Sequence, residues 1–258
     1  MKFIWLIRLP FVSGIRQASL APSQGHDLVA GTSYNRAMRL LSLIASLASL
    51  VLTTPAVAEA PPASSISPIP DAVWAEMQGK SFNAAVKGCA GRDELRLLVL
   101  PYRDYEGKTQ QGRMIVHRDV AEVVQSVFLQ LYADNSFAIA KMELIDAYGG
   151  DDDASMAANN TSGYNCRAAA GSARLSSHAR GIAIDVNPRT NPFVRKGTTS
   201  PPAGEDLDTP EEREAHASDP GLISATSAIT KAFAAKGWTW GGTWKSSKDY
   251  QHFSADGH

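Results

Sequence analysis

The stretch "LSSHARGIAIDVNPRTNPF", Leu175 to Phe193, sets His178 and Asp185 on either side of a run of small and β-branched residues. Read as a strand, "GIAIDV" points Ile182, Ile184 and Val186 to one face and Ala183 and Asp185 to the other, because strand side chains alternate. The apolar trio faces a core, so the Asp185 carboxylate turns away from it. Ala183 on that same face is small enough to let an ion approach the sheet. Gly181 allows a sharp turn that folds the His178 imidazole back toward Asp185. An imidazole and a carboxylate are two of the three protein ligands that a catalytic zinc takes. The segment reads either as a strand with a polar end or as half of a metal site completed elsewhere in the chain.

The chain has six histidines. His26 lies in the N-terminal segment, His258 is the last residue given, and His117 and His216 fall at a strand end and in an acidic loop. His252 remains, at the end of "WTWGGTWKSSKDYQHF". Tyr250 and His252 share a face if this is a strand, which directs one side of it into the same cleft. Asp249 offers the general base that water activation requires. Three positions separate Asp249 from His252, so on a regular strand they would point oppositely. Asp249 is therefore expected before the strand proper or on a bulge.

The same region is rich in tryptophan. Trp238, Trp240 and Trp244 each read as core or as cleft wall; Trp238 and Trp240 share a face if extended, and Trp240 is taken as the wall. Gly241 and Gly242 permit close approach of backbone to a ligand. Ser176 either orients a ligand or substrate or stabilises a turn. Asp151 to Asp153 lacks the spaced ligands and the glutamate of an EF-hand and reads as a solvated turn.

Taken together, Ser176-x-His178-x-x-Gly181-x-Ala183-x-Asp185 and the downstream Asp249-x-x-His252 resemble the VanY-like zinc peptidases. That family comprises D-alanyl-D-alanine carboxypeptidases and L-alanyl-D-glutamate endopeptidases and shares the hedgehog-type fold. "NNTSGYNCR", "IDVNPRTNPF" and "GWTWGGTW" extend the resemblance over residues 74–254. The resemblance implies one zinc held by His178, Asp185 and His252, with Asp249 as catalytic base. It also implies that Arg167, in "NCR", contacts the substrate near the scissile carbonyl, and that the substrate is a peptidoglycan stem peptide. Carboxypeptidase members usually carry Glu-x-Trp-His where this chain has Asp-Tyr-Gln-His, which favours the endopeptidase branch. A D-alanyl-D-alanine carboxypeptidase is the alternative. A non-catalytic zinc-containing cell-wall binding module is another, but a structural zinc needs neither Asp249 nor Arg167.

The remainder of the 258 residues frames this reading. With 44% apolar and 20% charged residues, the chain has enough material for a full core. "MRLLSLIASLASLVLTTPAVAEA" places Arg39 before an apolar stretch from Leu40 to Leu52 and ends on Ala56-Val57-Ala58, the layout of a secretory signal and too short to span a membrane. Residues 1–58 are accordingly read as a leader for export to the periplasm or beyond, with either Met38 as the true start or residues 1–37 as an extension of its n-region. The leader holds five of the 25 basic and one of the 26 acidic residues, leaving 20 against 25. That balance excludes a basic stripe and with it a nucleic-acid partner, and no stable membrane span is expected after signal removal. A monomer is expected.

Residues 59–73 are Pro/Ser-rich and read as a mobile linker, with the domain at 74–258. "ELRLLVLPYRDY" and "GRMIVHRD" read as a hairpin turning between Gly107 and Gly112, and "DVAEVVQSVFLQLYADN" as a helix capped by Asp119. "FAIAKMELIDAY" reads as a strand, "LISATSAITKAFAAKGW" as a helix stopped by Gly237, and "DYQHFS" as the last strand. The segments on either side of "GIAIDV" read as long loops. Strands and helices mix without βαβ repetition, so the expected class is α+β with a mainly antiparallel sheet. Cys89 and Cys166 are expected either as a disulfide in an oxidising compartment or as two free thiols.

Overall fold

In a computed structural model, which describes residues 62–169 and 171–258, the chain enters its first sheet ahead of Trp74. The leader expected at 1–58 lies outside the described residues. Ser65–Pro68 (β1) pairs antiparallel with Leu95–Arg103 (β2), Ser65 opposite Val99 and Pro68 opposite Arg96. The stretch read as a mobile linker is thus, from Ser65 on, an edge strand, and Ile69 after it is buried. Serine and proline suit an edge, where a missing donor leaves no ladder bond unmade. Asp71–Met77 (α1) follows and buries Met77.

β2 and Thr109–His117 (β3) form the expected hairpin, with Leu95 opposite His117 and Arg103 opposite Thr109. The turn is shorter than expected, because Gly112 lies inside β3 opposite Leu100. A Cβ at Gly112 would come 2.5 Å from that of Met142, so this glycine serves packing rather than the turn. β2 is apolar at nearly every position because both faces of the hairpin are covered. Leu98, Leu100, Met114 and Val116 face one cluster, and Leu95, Leu97 and Ile115 face another containing Met77, Leu144 and Tyr164.

Ala121–Asp134 (α2) closes the first cluster with Val124, Val127, Phe128 and Leu131, the spacing of one helical face. Val120, not Asp119, occupies the N-cap, without a side-chain cap bond; the Asp119 carboxylate turns instead to Arg118 and His117. "FAIAKMELIDAY" is not a strand. Phe137, Ile139, Met142, Leu144 and Ile145 are all buried, but the backbone is satisfied piecemeal: Ile139 N–H donates to Arg103 O and Ala140 N–H to Asn187 Oδ1.

The segments read as loops carry short elements: Asp152–Ala157 (α3) before the Asp185 strand, Ala183–Asp185 (β4), and after it Phe193–Arg195 (β5), Thr198–Ser200 (β6) and Pro210–Ala215 (α4). Ala228–Ala234 (α5) is shorter than the expected helix and ends before Gly237, whose φ is +80°. Thr239–Trp240 (β7), Lys248–Asp249 (β8) and His252–Ser254 (β9) complete the chain. Among the described residues three antiparallel sheets result, β1-β2-β3, β4-β9-β7 and β6-β5-β8, giving the expected α+β class. Cys89 and Cys166 are bonded to each other. Among the described residues, no helix is long and apolar enough to cross a membrane.

Candidate metal centre and catalytic cavity

Strand pairing brings two of the expected ligands together, because Asp185 on β4 lies opposite His252 on β9. Ile184 and Val186 point into the core as the alternation requires, leaving Asp185 on the other side. His178 arrives on a 3-10 turn, Ser177–Arg180, which Gly181 closes at φ +69°. A Cβ at Gly181 would also meet His117 N at 2.6 Å, so the glycine serves both the turn and its packing on β3. The Ser176 hydroxyl accepts from His178 N–H at 3.2 Å and so holds the turn, while Ser176 also lines the cavity described below.

The three side chains are buried and converge: His178 Nε2 is 3.1 Å from Asp185 Oδ2, His252 Nδ1 is 3.0 Å from Asp185 Oδ1, and the two ring nitrogens are 3.2 Å apart. The far nitrogen of each ring is tied to a main-chain oxygen, His178 Nδ1 to Gly163 at 2.7 Å and His252 Nε2 to His258 at 2.9 Å. An oxygen of the main chain can only accept, so each far nitrogen carries a hydrogen, and in the neutral imidazole each facing nitrogen presents a lone pair. Two such nitrogens and a carboxylate meet in a buried space, an arrangement suited to a cation. All three donor atoms lie within 4.8 Å of one another, and they could hold a metal ion. Without a metal, protons take that part. Burial opposes charge on Asp185, yet the His178 and His252 imidazoles hold its carboxyl well below the usual range. Burial likewise opposes charge on His252, but Asp185 and Asp249 outweigh it and raise the imidazole to about 9.

Sequence reasoning missed both outer oxygens. Gly163 sits where a Cβ would come 2.4 Å from Ile115 O, and Ser162 makes a two-bond bridge with Asp185, so "TSGY" is the spacer between β3 and β4. The His258 oxygen is delivered by Asp256, which accepts from Ser177 Oγ at 3.0 Å and pairs with Arg180, both on the turn that carries His178.

Asp249 reaches the site from a different sheet. β8 pairs with β5, β9 pairs with β4 and β7, and the chain crosses between them at Tyr250 and Gln251. That break, rather than a bulge, lets residues three apart serve one cavity. Tyr250 and His252 do not share a face: Tyr250 packs in the core beneath the Arg213 guanidinium, 3.8 Å from its ring centre. Asp249 Oδ1 is buried without a hydrogen-bond partner. Burial lifts this carboxyl to about 7, against the pull of His252 and Arg167 and with the push of Asp185.

A cavity of about 460 Å³ opens onto His178, Asp185, His252, Asp249, Arg167 and Trp244. Trp240, taken as its wall, is in the core instead, with its Nε1–H donating to Tyr250 O at 2.8 Å. The wall is Trp244, whose ring centre is 5.4 Å from that of His252; the 3-10 turn at Gly241–Thr243 carries it past the sheet. Gly241 and Gly242 permit close approach, but to the protein itself: a Cβ at Gly241 would meet Asp249, and one at Gly242 the Trp240 ring. Nor is Asp151 to Asp153 only a solvated turn. The Asp151 side chain accepts from Ala154 N–H and caps α3, and Asp152 Oδ2 lies 2.6 Å from Arg167 Nη2.

Residues 170–255 match a family model described as D-alanyl-D-alanine carboxypeptidase. The match takes in His178, Asp185, Asp249 and His252 and supports the VanY-like zinc peptidase family for this segment. No curated protein and no solved structure matches the chain.

Proposed function

We propose that the protein is an exported zinc-dependent peptidase that hydrolyses a peptide bond of peptidoglycan stems, of the L-alanyl-D-glutamate endopeptidase type. The observation that carries this reading is the lone-pair triad of His178, Asp185 and His252 sharing one cavity with a second carboxylate, Asp249, and a cation, Arg167. Two imidazoles and one carboxylate are the donor set of a catalytic zinc, which keeps a position open. A zinc ion held there supplies the Lewis acid that polarises the scissile carbonyl and acidifies water.

The chain's own residues account for the rest of the reaction. Asp249 accepts the proton of the attacking water as its oxygen bonds to the carbonyl carbon, then passes that proton to the leaving nitrogen as the C–N bond breaks. Its rise to about 7 comes from burial, and a bound dication would lower it again and favour the ionised form that takes a proton. Arg167 offers permanent N–H donors to the charge that develops on the carbonyl oxygen. The Cys89–Cys166 bond suits an oxidising compartment and so supports export, as does the signal-like leader.

The description of the matching family favours a second reading, removal of a terminal D-alanine. Asp-Tyr-Gln-His in place of Glu-x-Trp-His favours the endopeptidase. Incubating zinc-loaded protein with defined muropeptides and weighing the products separates them: cleavage after L-alanine supports the first, and release of D-alanine alone replaces it with the second. Intact muropeptides at full zinc occupancy would refute both.

A further inference from the structure

We propose that Asp152 is a positioning residue for Arg167, holding the guanidinium so that its free edge faces the scissile carbonyl; this rests on reading the cavity as a peptidase site. The pair is close, Asp152 Oδ2 to Arg167 Nη2 at 2.6 Å, with each side chain 25% exposed. Little else fixes the guanidinium among the described residues: Nη1 reaches only Ala168 O, at 3.3 Å, and Nε is buried without a partner.

Backbone and side chain of Arg167 are held by separate devices. Cys166, its neighbour, is bonded to Cys89 and donates its N–H to Ser81 O, and Arg167 O accepts from Ser176 N–H at 3.1 Å. These contacts place the Cα but leave a long side chain to sweep the cavity, with several rotatable bonds to lose on ordering. Asp152 supplies the missing restraint from a support that is itself rooted. Asp151 caps α3 through Ala154 N–H, and Ser155 and Met156 are buried, the former accepting from Asn160 Nδ2 at 3.0 Å. Met156 lines the same cavity as Asp152, so α3 forms its wall on the Arg167 side. An ion pair on one nitrogen of a planar fork sets the direction of the others. The acidic triplet thus divides its work, Asp151 building the helix and Asp152 aiming the arginine.

The test is steady-state kinetics on zinc-loaded protein, using the muropeptide it cleaves, for Asp152→Ala, Asp152→Asn, Asp152→Glu, Arg167→Ala and the double variant Asp152→Ala/Arg167→Ala. Misaiming a group by about 1 Å lowers rates by up to about 100-fold, so Asp152→Ala should lower kcat about 10- to 100-fold at unchanged zinc content. Asp152→Glu should recover part of it. In the Arg167→Ala background, Asp152→Ala should cost less than about 2-fold, since a residue acting only through the arginine has nothing left to act on. Losses that multiply would assign Asp152 to the stability of α3 and overturn the proposal, as would wild-type turnover in Asp152→Ala. Should Asp152→Ala not fold, Asp152→Asn keeps the shape and removes the charge. An independent readout is nitrogen NMR of the Arg167 guanidinium. Restricted rotation in wild-type protein and averaged signals in Asp152→Asn are expected, and equal mobility in both would refute the positioning role. A wild-type protein that cleaves no muropeptide would defeat the proposed reaction, while the guanidinium measurement still decides the role of Asp152.

Discussion

Replacing Gly241 by alanine puts a methyl group into the join between the base and the metal ligands. The new Cβ would lie 2.7 Å from Asp249 O, 2.8 Å from Asp249 Cβ and 3.3 Å from His252 Cβ. None of these is the loose end of a flexible side chain. The first two fall well inside van der Waals contact, so β8 and the 3-10 turn must separate by roughly half an ångström or more, at an overpacking cost of about 1–3 kcal/mol. In a domain of this size that lowers Tm by about 2–12 °C. The displaced atoms belong chiefly to Asp249, and moving the proposed base by such a distance should reduce kcat by up to about 10²-fold. His252 needs to yield only a few tenths of an ångström, so zinc content should stay near one per chain. Gly107→Ala is the control: its φ is +74°, yet nothing lies within 4 Å of the added carbon, so it carries backbone strain without a clash. Thermal melting, metal analysis and turnover on the two variants make the comparison. If Gly241→Ala melts and turns over like wild type, the close approach of this turn to Asp249 does not hold the base in place.

Three further outcomes are expected. His178→Ala and His252→Ala should each lose zinc, whereas Asp249→Asn should keep it and lose about 10²–10⁴-fold in turnover; metal analysis beside kinetics checks the division. The metal-free protein should lose stability from about pH 4 to 9, because folded His252 is raised from 6.5 to about 9 and folded Asp249 from 3.8 to about 7. In each case the folded state holds the extra proton, so the contribution is full below the unfolded pKa and lost as pH rises through the folded one. Zinc should flatten this dependence by taking the proton's place, and melts of metal-free and zinc-loaded protein across that range would show it. Reducing Cys89–Cys166, 77 residues apart, should remove about 4 kcal/mol of stability and impair turnover more than zinc affinity, since neither sulfur belongs to the metal centre. Activity and zinc content measured with a non-chelating reductant test this.

The three residues of the candidate metal centre were legible because their chemistry is restrictive and their placement is local. A strand with alternating apolar residues fixes the face of Asp185, and a glycine-closed turn a few residues earlier fixes His178. What was not legible depended on distant partners. "SISP" has the composition of a linker, and only its register with β2, some 30 positions away, makes it a strand. "FAIAKMELIDAY" has the apolar content of a strand, but its backbone partners are an arginine carbonyl and an asparagine side chain, which no local pattern announces. Trp240 and Trp244 are alike in sequence, and the glycine pair between them reverses which one meets the cavity.

The separation of Asp249 from His252 has a mechanical consequence. The proposed ligands His252 and Asp185 share one small sheet, whereas the proposed base Asp249 is on another, and the connection is a two-residue crossing at Tyr250 and Gln251. Strand geometry cannot fix the distance from base to metal across such a break, so side-chain packing has to. Tyr250 is gripped from two directions, by the Arg213 guanidinium over its ring and by Trp240 Nε1–H on its carbonyl. Arg213 is a buried cation whose Nη atoms donate to Thr190 O, Leu207 O, Ile223 O and Asn191 Oδ1. Burial lowers its pKa to about 10, which leaves it charged throughout the neutral range. α4, which supplies Arg213, carries neither a proposed ligand nor the proposed base, yet it pins the crossing that sets one against the other. If the proposed function holds, metal binding and catalytic rate should therefore be separable in this fold. Damage to β4 or β9 should remove the ion, whereas damage at the crossing should leave the ion in place and move Asp249 away from it.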